Sequence, residues 1–323
     1  MSPEKHGNAT LPKIVFLDRA TLDVEIGRPK VPHAWKEFPS SRDCEVVERL
    51  AGARVAITNK VGLSKAELSR LPELKMIAVA ATGTNNVDVG YCRAHGIIVS
   101  NIRGYANSSV PEHVFCMILA LKRNLLAYRR DIGRWKQSGQ FCLPIHPITD
   151  ISGSTFGIVG FGALGEAVAR LAKCFGAQVL IAERKGASAC REGYTPFQTA
   201  LKECDILSLH CPLTDETRGL IGMEELKLMK CGALLINTAR GGLVDEHALA
   251  HALRHGLIGG AGFDVLIEEP PLSGSPLLDV DLPNFLLTPH VAWTSNRAMA
   301  ALSSQLIANI DAFLEGNPRN NVA

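Results

Sequence analysis

The chain has few of the features that mark secreted, membrane-spanning or metal-binding proteins. Its nine cysteines are odd in number and form no Cys-x-x-Cys pair, so neither a disulfide framework nor a zinc site is expected. No apolar run is long enough to cross a membrane, and the first residues, MSPEKHGNATLPK, lack the apolar core of a signal peptide. We therefore expect a cytoplasmic protein with no bound metal.

Charge and aromatic content are also low. The formal net charge is +2 and only 6% of residues are aromatic, and basic residues are not interleaved with aromatic ones. This composition gives no electrostatic reason to bind nucleic acid or a membrane surface. A basic segment at 122–134 predicts a solvated helical face, with an anion or partner patch as the alternative.

Short apolar segments alternate with helix-like ones along the whole chain. At 323 residues, two domains of about 150 residues are expected. Strands are predicted at 13–18, 54–59, 76–80, 97–100, 156–159, 179–182, 206–211, 233–238, 261–265 and 285–288. Strands separated by helices favour parallel sheets that are covered on both faces. The expected fold class is therefore α/β, with two doubly wound parallel-sheet domains.

Helices are predicted between these strands and at the end of the chain. The clearest are at 42–50, 87–95, 109–126, 245–255 and 296–314. Pro111 lies where it can occupy the first turn of the third helix, which is strongly apolar and suggests a hinge, an interface or a homodimer contact. The last helix is expected to return to the first half, which would make the first domain discontinuous.

A glycine-rich turn stands at the centre of the sequence. The predicted strand 156–159 leads into Gly160-Phe-Gly162-Ala163-Leu164-Gly165, and an apolar helix pattern follows. In a dinucleotide site the first glycine makes the tight turn, the second admits the pyrophosphate and the third allows close helix–strand packing. The pyrophosphate then lies at the helix N-terminus. Three glycines alone are weak evidence, but the flanking strand and helix make a dinucleotide site the expected reading.

The strand after this helix ends at an acidic residue. Glu183 lies 18 residues beyond Gly165, where a carboxylate accepts hydrogen bonds from a ribose 2′-hydroxyl and repels a 2′-phosphate. Arg184 and Lys185 favour a 2′-phosphate instead, as in NADPH, although a basic pair at a strand end is more often solvated. We expect NADH to be preferred, with NADPH possible.

Three polar residues at later strand ends have the chemistry of a catalytic site. Arg240, in NTARGG, can hold a carboxylate or ketone oxygen in a bidentate fork, unless it forms only a surface salt bridge. His290, in LTPH, is a candidate general acid and base. Glu269, in IEEPP, can bind the second ring nitrogen of the histidine. Each alone is weak evidence, but all three follow strands of the same half.

Several motifs together resemble the D-isomer-specific 2-hydroxyacid dehydrogenase family. They are GIVGFGALG, LSLHCPLTDETRGLI, GALLINTARGGLVDE, AGFDVLIEEPP and LTPHVAWTS, with ATGTNNVD and SVPEH nearer the N-terminus. The resemblance covers nearly the whole chain after residue 50. It implies a flavodoxin-like substrate domain at 1–104 plus 294–323, a Rossmann NAD(P)-binding domain at 105–293, and an active site in the cleft between them.

The resemblance also assigns roles to individual residues. It implies that the catalytic residues are Arg240, Glu269 and His290. The residues implied to bind the cofactor are Gly160, Gly162, Ala163, Leu164, Gly165, Glu183, Arg184, His210, Cys211, Pro212, Thr217, Thr238, Ala239, Arg240, Asp264, His290 and Ala292. Those implied to bind the substrate are Asn59, Thr82, Gly83, Thr84, Arg240 and His290. Pro111 and Glu183 depart from the alanine and aspartate that are more usual at those positions.

Within the family, the chain is most similar to hydroxypyruvate or glyoxylate reductases, also called glycerate dehydrogenases. This implies interconversion of a small 2-oxo acid and its D-2-hydroxy acid with NAD(P)H. One alternative is another enzyme of the family, such as phosphoglycerate dehydrogenase. A second, of a different class, is a dinucleotide-sensing binding protein that resembles the C-terminal-binding transcriptional corepressors.

Overall fold

The computed structural model describes residues 11–323, which form two compact units. One unit consists of the chain up to Tyr105 together with Ser295–Ala323, and the other is Ala106–Thr294. The division expected from the sequence, at 104/105 and 293/294, falls beside these boundaries. Each unit is built around its own sheet.

The first unit begins with five strands and three helices. They are β1 (Lys13–Phe16), β2 (Ala34–Glu37), α1 (Asp43–Leu50), β3 (Val55–Thr58), α2 (Lys65–Leu68), β4 (Met76–Val79), α3 (Val89–Ala94) and β5 (Ile98–Ser100). The strands lie in the order β2-β1-β3-β4-β5 and every pair is parallel. This is the flavodoxin-like order of a doubly wound sheet, which confirms the predicted fold class for this unit.

The second unit contains seven helices and six strands among the described residues. They are α4 (Ser109–Lys122), α5 (Leu125–Arg130), α6 (Ile132–Ser138), β6 (Thr155–Val159), α7 (Ala163–Cys174), β7 (Gln178–Ala182), α8 (Phe197–Glu203), β8 (Ile206–Leu209), α9 (Met223–Leu228), β9 (Leu234–Asn237), α10 (Glu246–Arg254), β10 (Gly260–Phe263) and β11 (Phe285–Leu287). The strands are parallel throughout and follow the order β11-β10-β9-β8-β6-β7.

The Rossmann arrangement of this sheet is completed by a single residue. Thr195 forms a parallel bridge with Ala182 of β7, in the position of the third strand of a dinucleotide-binding sheet. The chain then crosses back to β8, on the other side of β6. The change of direction between β6 and β8 is the switch point at which such sheets bind ligands.

Helices cover both faces of the second sheet. Leu207 and Leu209 of β8 belong to the core cluster formed with α8, α9 and α10. The alternate residues Ile206 and Ser208 are also fully buried, and by strand geometry they point to the opposite face, where α4 and α7 pack. Burial on both faces explains why these strands appear as continuous apolar runs in the sequence.

One predicted helix is shorter than expected. The apolar segment 109–126 does not form a single helix, because α4 ends at Lys122 and α5 begins at Leu125. Asn124 between them adopts a left-handed backbone conformation with φ of 49°, which asparagine tolerates better than most residues and which interrupts the helix. Pro111 lies in the first turn of α4, as predicted.

The last helix, α11 (Asn296–Leu314), belongs to the first unit. The Ser295 side chain caps its N-terminus, and α11 packs beside β4. The Asn309 amide donates a 3.0 Å hydrogen bond to the Asn101 carbonyl, and the Ser303 hydroxyl donates a 2.7 Å bond to the Glu25 carbonyl. The first unit is therefore discontinuous in sequence. Across residues 11–323, no helix has the length and apolar character needed to span a membrane.

Candidate active site

The candidate residues of the second unit follow neighbouring strands of one parallel sheet. Because the strands are parallel, their carboxyl ends lie along the same edge. The glycine turn follows β6, Glu183 follows β7 and His210 follows β8. Thr238 and Arg240 follow β9, Asp264 follows β10 and His290 follows β11.

The glycine turn has the geometry that a dinucleotide requires. A Cβ atom at Gly160, where φ is 90°, would lie 2.6 Å from the Cys211 amide nitrogen, and one at Gly165 would lie 2.1 Å from the Gly160 carbonyl oxygen. Both positions are therefore restricted to glycine by close backbone packing. A Cβ at Gly162 would meet no atom within 4 Å. The space beside Gly162, at the N-terminus of α7, is thus open to an incoming phosphate, and Ala163 and Leu164 begin this helix.

The segment that follows β8 packs against the glycine turn. The His210 amide donates a 2.7 Å hydrogen bond to the Val159 carbonyl, which ties β8 to the end of β6. Burial lowers the pKa of the His210 imidazole to about 4, so the ring is neutral at neutral pH. Its Nε2 atom lies 2.8 Å from the Ser208 hydroxyl. Thr217 continues this edge by donating a 2.7 Å bond to the Pro212 carbonyl.

The loop after β9 places Arg240 at the same edge. The Asn237 side chain donates a 2.9 Å hydrogen bond to the Arg240 carbonyl and accepts one of 3.1 Å from the Ala239 amide. The Arg240 guanidinium donates through Nη1 to the Ala239 carbonyl at 2.6 Å and is partly exposed. Thr238 is nearly buried, and its hydroxyl is the one buried side-chain polar atom without a partner within residues 11–323. An unpartnered hydroxyl at the carboxyl end of β9 is consistent with a polar ligand at this edge of the sheet.

Gly241 brings this loop against the loop that carries Glu269. A Cβ atom at Gly241 would lie 1.8 Å from the Leu266 carbonyl oxygen and 2.6 Å from the Ile267 amide nitrogen. Any side chain would push the two loops apart. Gly241 therefore sets the spacing between the segments of Arg240 and Glu269, a role that no local pattern in the sequence indicates.

Asp264 fixes the segment that carries His290. Its carboxylate is buried, accepting a 2.9 Å bond from the Val291 amide and a 2.8 Å bond from the Ala292 amide. The Thr288 hydroxyl donates to the same carboxylate at 2.5 Å. His290 itself adopts a φ of 55°, an uncommon conformation for a residue with a side chain, and donates its amide to the Asp264 carbonyl at 2.9 Å. Such strain persists only where the surroundings hold it.

His290 and Glu269 form a direct pair. Glu269 Oε2 lies 2.6 Å from His290 Nδ1, while Glu269 Oε1 accepts a 2.9 Å bond from the Leu266 amide. The carboxylate can accept but not donate, so Nδ1 carries the proton and Nε2 is left to exchange one. The imidazole is about three-quarters buried, with 25% of its side-chain surface exposed. The pair has the arrangement of an acid–base catalyst with an orienting carboxylate.

Glu183 is buried at the end of β7, where the Arg191 guanidinium pairs with it at 2.7 Å. The hydrogen bond from the Arg191 side chain is the main reason that the pKa of Glu183 is about 2. Arg184 follows with an exposed side chain, and Lys185 pairs with Glu225 at 2.8 Å. Arg191 was not among the residues expected from the sequence.

The remaining candidates lie in the first unit. Asn59 is buried, and its amide side chain donates a 3.0 Å bond to the Thr21 hydroxyl. Thr82, Gly83 and Thr84 form a loop after β4 that is braced by the Asn101 side chain, which donates a 2.8 Å bond to the Thr82 carbonyl. The Asn59 side chain therefore has a partner within the protein, and the loop of Thr82, Gly83 and Thr84 is partly exposed.

Comparison with known proteins identifies the family. Residues 115–292 match the model of the D-isomer specific 2-hydroxyacid dehydrogenase NAD binding domain. The chain is 49% identical to a glycerate dehydrogenase of Methylorubrum extorquens over 96% of this chain and 98% of that protein. The chain therefore belongs to the D-isomer-specific 2-hydroxyacid dehydrogenases.

Solved structures agree with this assignment. A D-lactate dehydrogenase from Aquifex aeolicus, complexed with NAD and lactic acid, is 28% identical with a TM-score of 0.80, covering 94% of this chain and 96% of that one. An NADPH-dependent glyoxylate/hydroxypyruvate reductase from Sinorhizobium meliloti, complexed with NADP and malonate, is 27% identical with a TM-score of 0.82, covering 97% of each chain. The protein is an NAD(P)-dependent oxidoreductase that interconverts 2-oxo acids and D-2-hydroxy acids. The prediction of an enzyme in this family is confirmed.

Proposed function

We propose that the enzyme reduces hydroxypyruvate or glyoxylate to D-glycerate or glycolate, with His290, Glu269 and Arg240 as the catalytic residues. The observation that carries this proposal is the 2.6 Å contact between His290 and Glu269 at the carboxyl edge of a dinucleotide-binding sheet. The bound nicotinamide supplies the hydride. Protonated His290 delivers a proton from Nε2 to the developing alkoxide, and Glu269 holds the ring through Nδ1.

Arg240 binds the substrate. Its planar guanidinium orients the 2-oxo acid and polarises the ketone oxygen, which stabilises negative charge as it develops. The loop of Thr82, Gly83 and Thr84 receives the substrate carboxylate through its main-chain amides. Among residues 11–323, these three amides donate no hydrogen bond to the protein, which supports this assignment.

The choice of substrate rests on similarity. The relative from Methylorubrum extorquens is a glycerate dehydrogenase, and the structure from Sinorhizobium meliloti is a glyoxylate/hydroxypyruvate reductase. The segment at 57–88 also resembles the reductases of small 2-oxo acids. A small or polar side chain on the substrate is therefore favoured over a branched or aromatic one.

The sequence features of the cofactor site favour NADH as the preferred cofactor. Glu183 is ionised and lies one residue past the β7 position that pairs with the end of β6. A carboxylate at this point accepts hydrogen bonds from the adenosine ribose and disfavours a 2′-phosphate. We also propose a cytoplasmic homodimer, as the sequence leads us to expect; light scattering of the purified protein tests the oligomeric state.

A substrate panel tests the proposed reaction. NADH oxidation is followed by absorbance with hydroxypyruvate, glyoxylate, phenylpyruvate and 2-oxoisocaproate. We expect the highest kcat/KM with hydroxypyruvate or glyoxylate, and a product of the D configuration from hydroxypyruvate. A clearly higher kcat/KM with phenylpyruvate or 2-oxoisocaproate would contradict the substrate assignment while leaving the family assignment in place.

A further inference from the structure

The carboxylate of Glu183 is fully engaged by the loop that follows it. Its Oε1 atom accepts hydrogen bonds from the Arg184 amide at 2.8 Å and from Arg191 Nη2 at 2.7 Å. Its Oε2 atom accepts from the Arg191 amide at 3.0 Å and from Arg191 Nε at 2.7 Å. A carboxylate offers roughly four acceptor positions, so these four bonds use its capacity. A ribose hydroxyl must therefore share or displace one of these four bonds, three of which Arg191 makes.

Arg191 is held in place by more than this pair. The loop that carries it is closed by Thr195, which accepts a 2.8 Å bond from the Glu183 amide and donates one of 2.8 Å to the Ile181 carbonyl. The guanidinium carbon lies 3.8 Å from the centre of the Tyr194 ring. Even so, 53% of the Arg191 side chain is exposed, so its outer N–H groups face solvent. The loop thus presents a fixed guanidinium beside a buried carboxylate.

The neighbouring basic side chains are less well placed for this role. Lys185 is bound by the Glu225 carboxylate and also donates a 3.2 Å bond to the Leu220 carbonyl. No side-chain partner holds Arg184 within the described chain, and its side chain is exposed. Arg191 is the basic side chain that is fixed directly against Glu183.

The pair changes the electrostatics of the ribose end of the site. A lone carboxylate repels a 2′-phosphate, whereas a nearby arginine accommodates one. Here the two charges are opposite and 2.7 Å apart, so the repulsion that Glu183 alone would exert is largely cancelled. The remaining N–H groups of the guanidinium are suited to phosphate oxygens.

We infer that Arg191 is a specificity-determining residue, which neutralises Glu183 and so allows the site to accept a 2′-phosphorylated dinucleotide as well as NADH. The inference rests on the proposed placement of the adenosine ribose at Glu183. It implies that the preference for NADH is small, and that it is set by the balance of two opposite charges rather than by Glu183 alone.

Calorimetric binding of ADP-ribose and 2′-phospho-ADP-ribose tests this inference without catalysis. The two probes differ only by the 2′-phosphate, and neither carries a nicotinamide. The parent protein is expected to bind both with affinities within about tenfold of each other. Arg191→Gln should lose at least about tenfold in affinity for the phosphorylated probe relative to ADP-ribose, because Glu183 is then uncompensated. Glu183→Gln should shift the ratio the opposite way.

Arg170→Gln is the matched control. Arg170 also pairs with a glutamate, Glu166 at 2.9 Å, but on the exposed surface of α7, so the affinity ratio should not change. If Arg191→Gln unfolds in circular dichroism, Arg191→Met replaces it. Methionine keeps an unbranched side chain but removes the charge, so the same loss of at least about tenfold in relative affinity for the phosphorylated probe is expected, and an unchanged ratio would refute the role of Arg191.

The possible results distinguish the role of Arg191 from the proposed position of the adenosine ribose. If the parent bound neither probe, the proposed placement of the ribose would be wrong. If the parent bound ADP-ribose but Arg191→Gln left the ratio unchanged, the role of Arg191 would be refuted while the ribose placement stood. Tighter binding of 2′-phospho-ADP-ribose to Arg191→Gln than to the parent would also refute the role of Arg191.

Discussion

Glu269 Oε2 lies 2.6 Å from His290 Nδ1, and the two residues belong to loops after adjacent parallel strands, β10 and β11. The contact links segments 21 residues apart and aims the free Nε2 atom away from the carboxylate. The Asp264 carboxylate holds the segment after His290 by accepting hydrogen bonds from two main-chain amides. Gly241 sets the distance between the loop that carries Glu269 and the loop that carries Arg240. The pair is therefore held in position by the fold before any substrate binds.

Replacing the histidine tests whether it is the proton donor. His290→Gln should lower kcat/KM by at least roughly 100-fold in both directions, because glutamine cannot exchange a proton at neutral pH. NADH affinity, measured by fluorescence, should change little, since the proposed site of the dinucleotide phosphates is the glycine turn and not His290. Retention of most activity would show that another group supplies the proton.

Arg240→Lys tests the need for a planar fork. Lysine keeps the positive charge but not the bidentate geometry, so transition-state binding should weaken by about 2 kcal/mol or more, measured as the change in kcat/KM. Arg254→Lys is the matched control, because Arg254 contacts only the Asp279 carbonyl on an exposed surface among its described side-chain contacts. Equal kinetics for Arg240→Lys and Arg254→Lys would remove Arg240 from the mechanism.

Two glycines of the turn should respond differently to the same substitution. Gly165→Ala places a Cβ 2.1 Å from the Gly160 carbonyl oxygen and should lower the free energy of unfolding by about 1–3 kcal/mol. Gly162→Ala meets no atom within 4 Å and should change it by less than about 0.5 kcal/mol. However, Gly162→Ala should weaken NADH binding, because its methyl group occupies the open space beside the helix N-terminus. Unimpaired binding by folded Gly162→Ala would place the pyrophosphate elsewhere.

His210 should make the protein sensitive to acid. Burial lowers its pKa to about 4 in the folded protein, below the ordinary value of about 6.5 in the unfolded chain. The unfolded state therefore binds more protons between these values, so stability is complete above pH 6.5 and falls towards pH 4. His210→Gln should reduce the loss of unfolding free energy between about pH 6.5 and pH 4 by roughly 1–3 kcal/mol, measured by denaturant unfolding. His255 is exposed, so His255→Gln should not change this loss. If the pH dependence of stability were the same for His210→Gln and the parent, burial of His210 would not be its cause.

Strands that are buried on both faces could be predicted from the sequence, because they appear as apolar runs bounded by turn residues. The edge strand β2 could not, since Ala34–Glu37 is largely exposed and carries two charged residues. The break at Asn124 was missed because the surrounding residues keep their apolar helical pattern while one backbone conformation changes. Propensity and pattern do not report such a local change.

The same distinction holds for the candidate site. The glycine turn and the triplet Arg240, Glu269 and His290 were predicted because their residue types and strand-end positions carry the chemistry. The pairing of Arg191 with Glu183 depends on how an eight-residue separation closes into a loop, which no local pattern specifies. The close approach at Gly241 likewise depends on a second loop.

Glu269→Gln provides the most direct test of the paired mechanism, through kcat/KM in both reaction directions and NADH affinity measured separately. The carboxylate holds the His290 ring through Nδ1, and a neutral amide in its place binds Nδ1 more weakly. We therefore expect kcat/KM to fall at least about tenfold in both directions, while NADH affinity changes little. If kcat/KM stayed within about twofold of the parent in both directions, Glu269 would not act through His290.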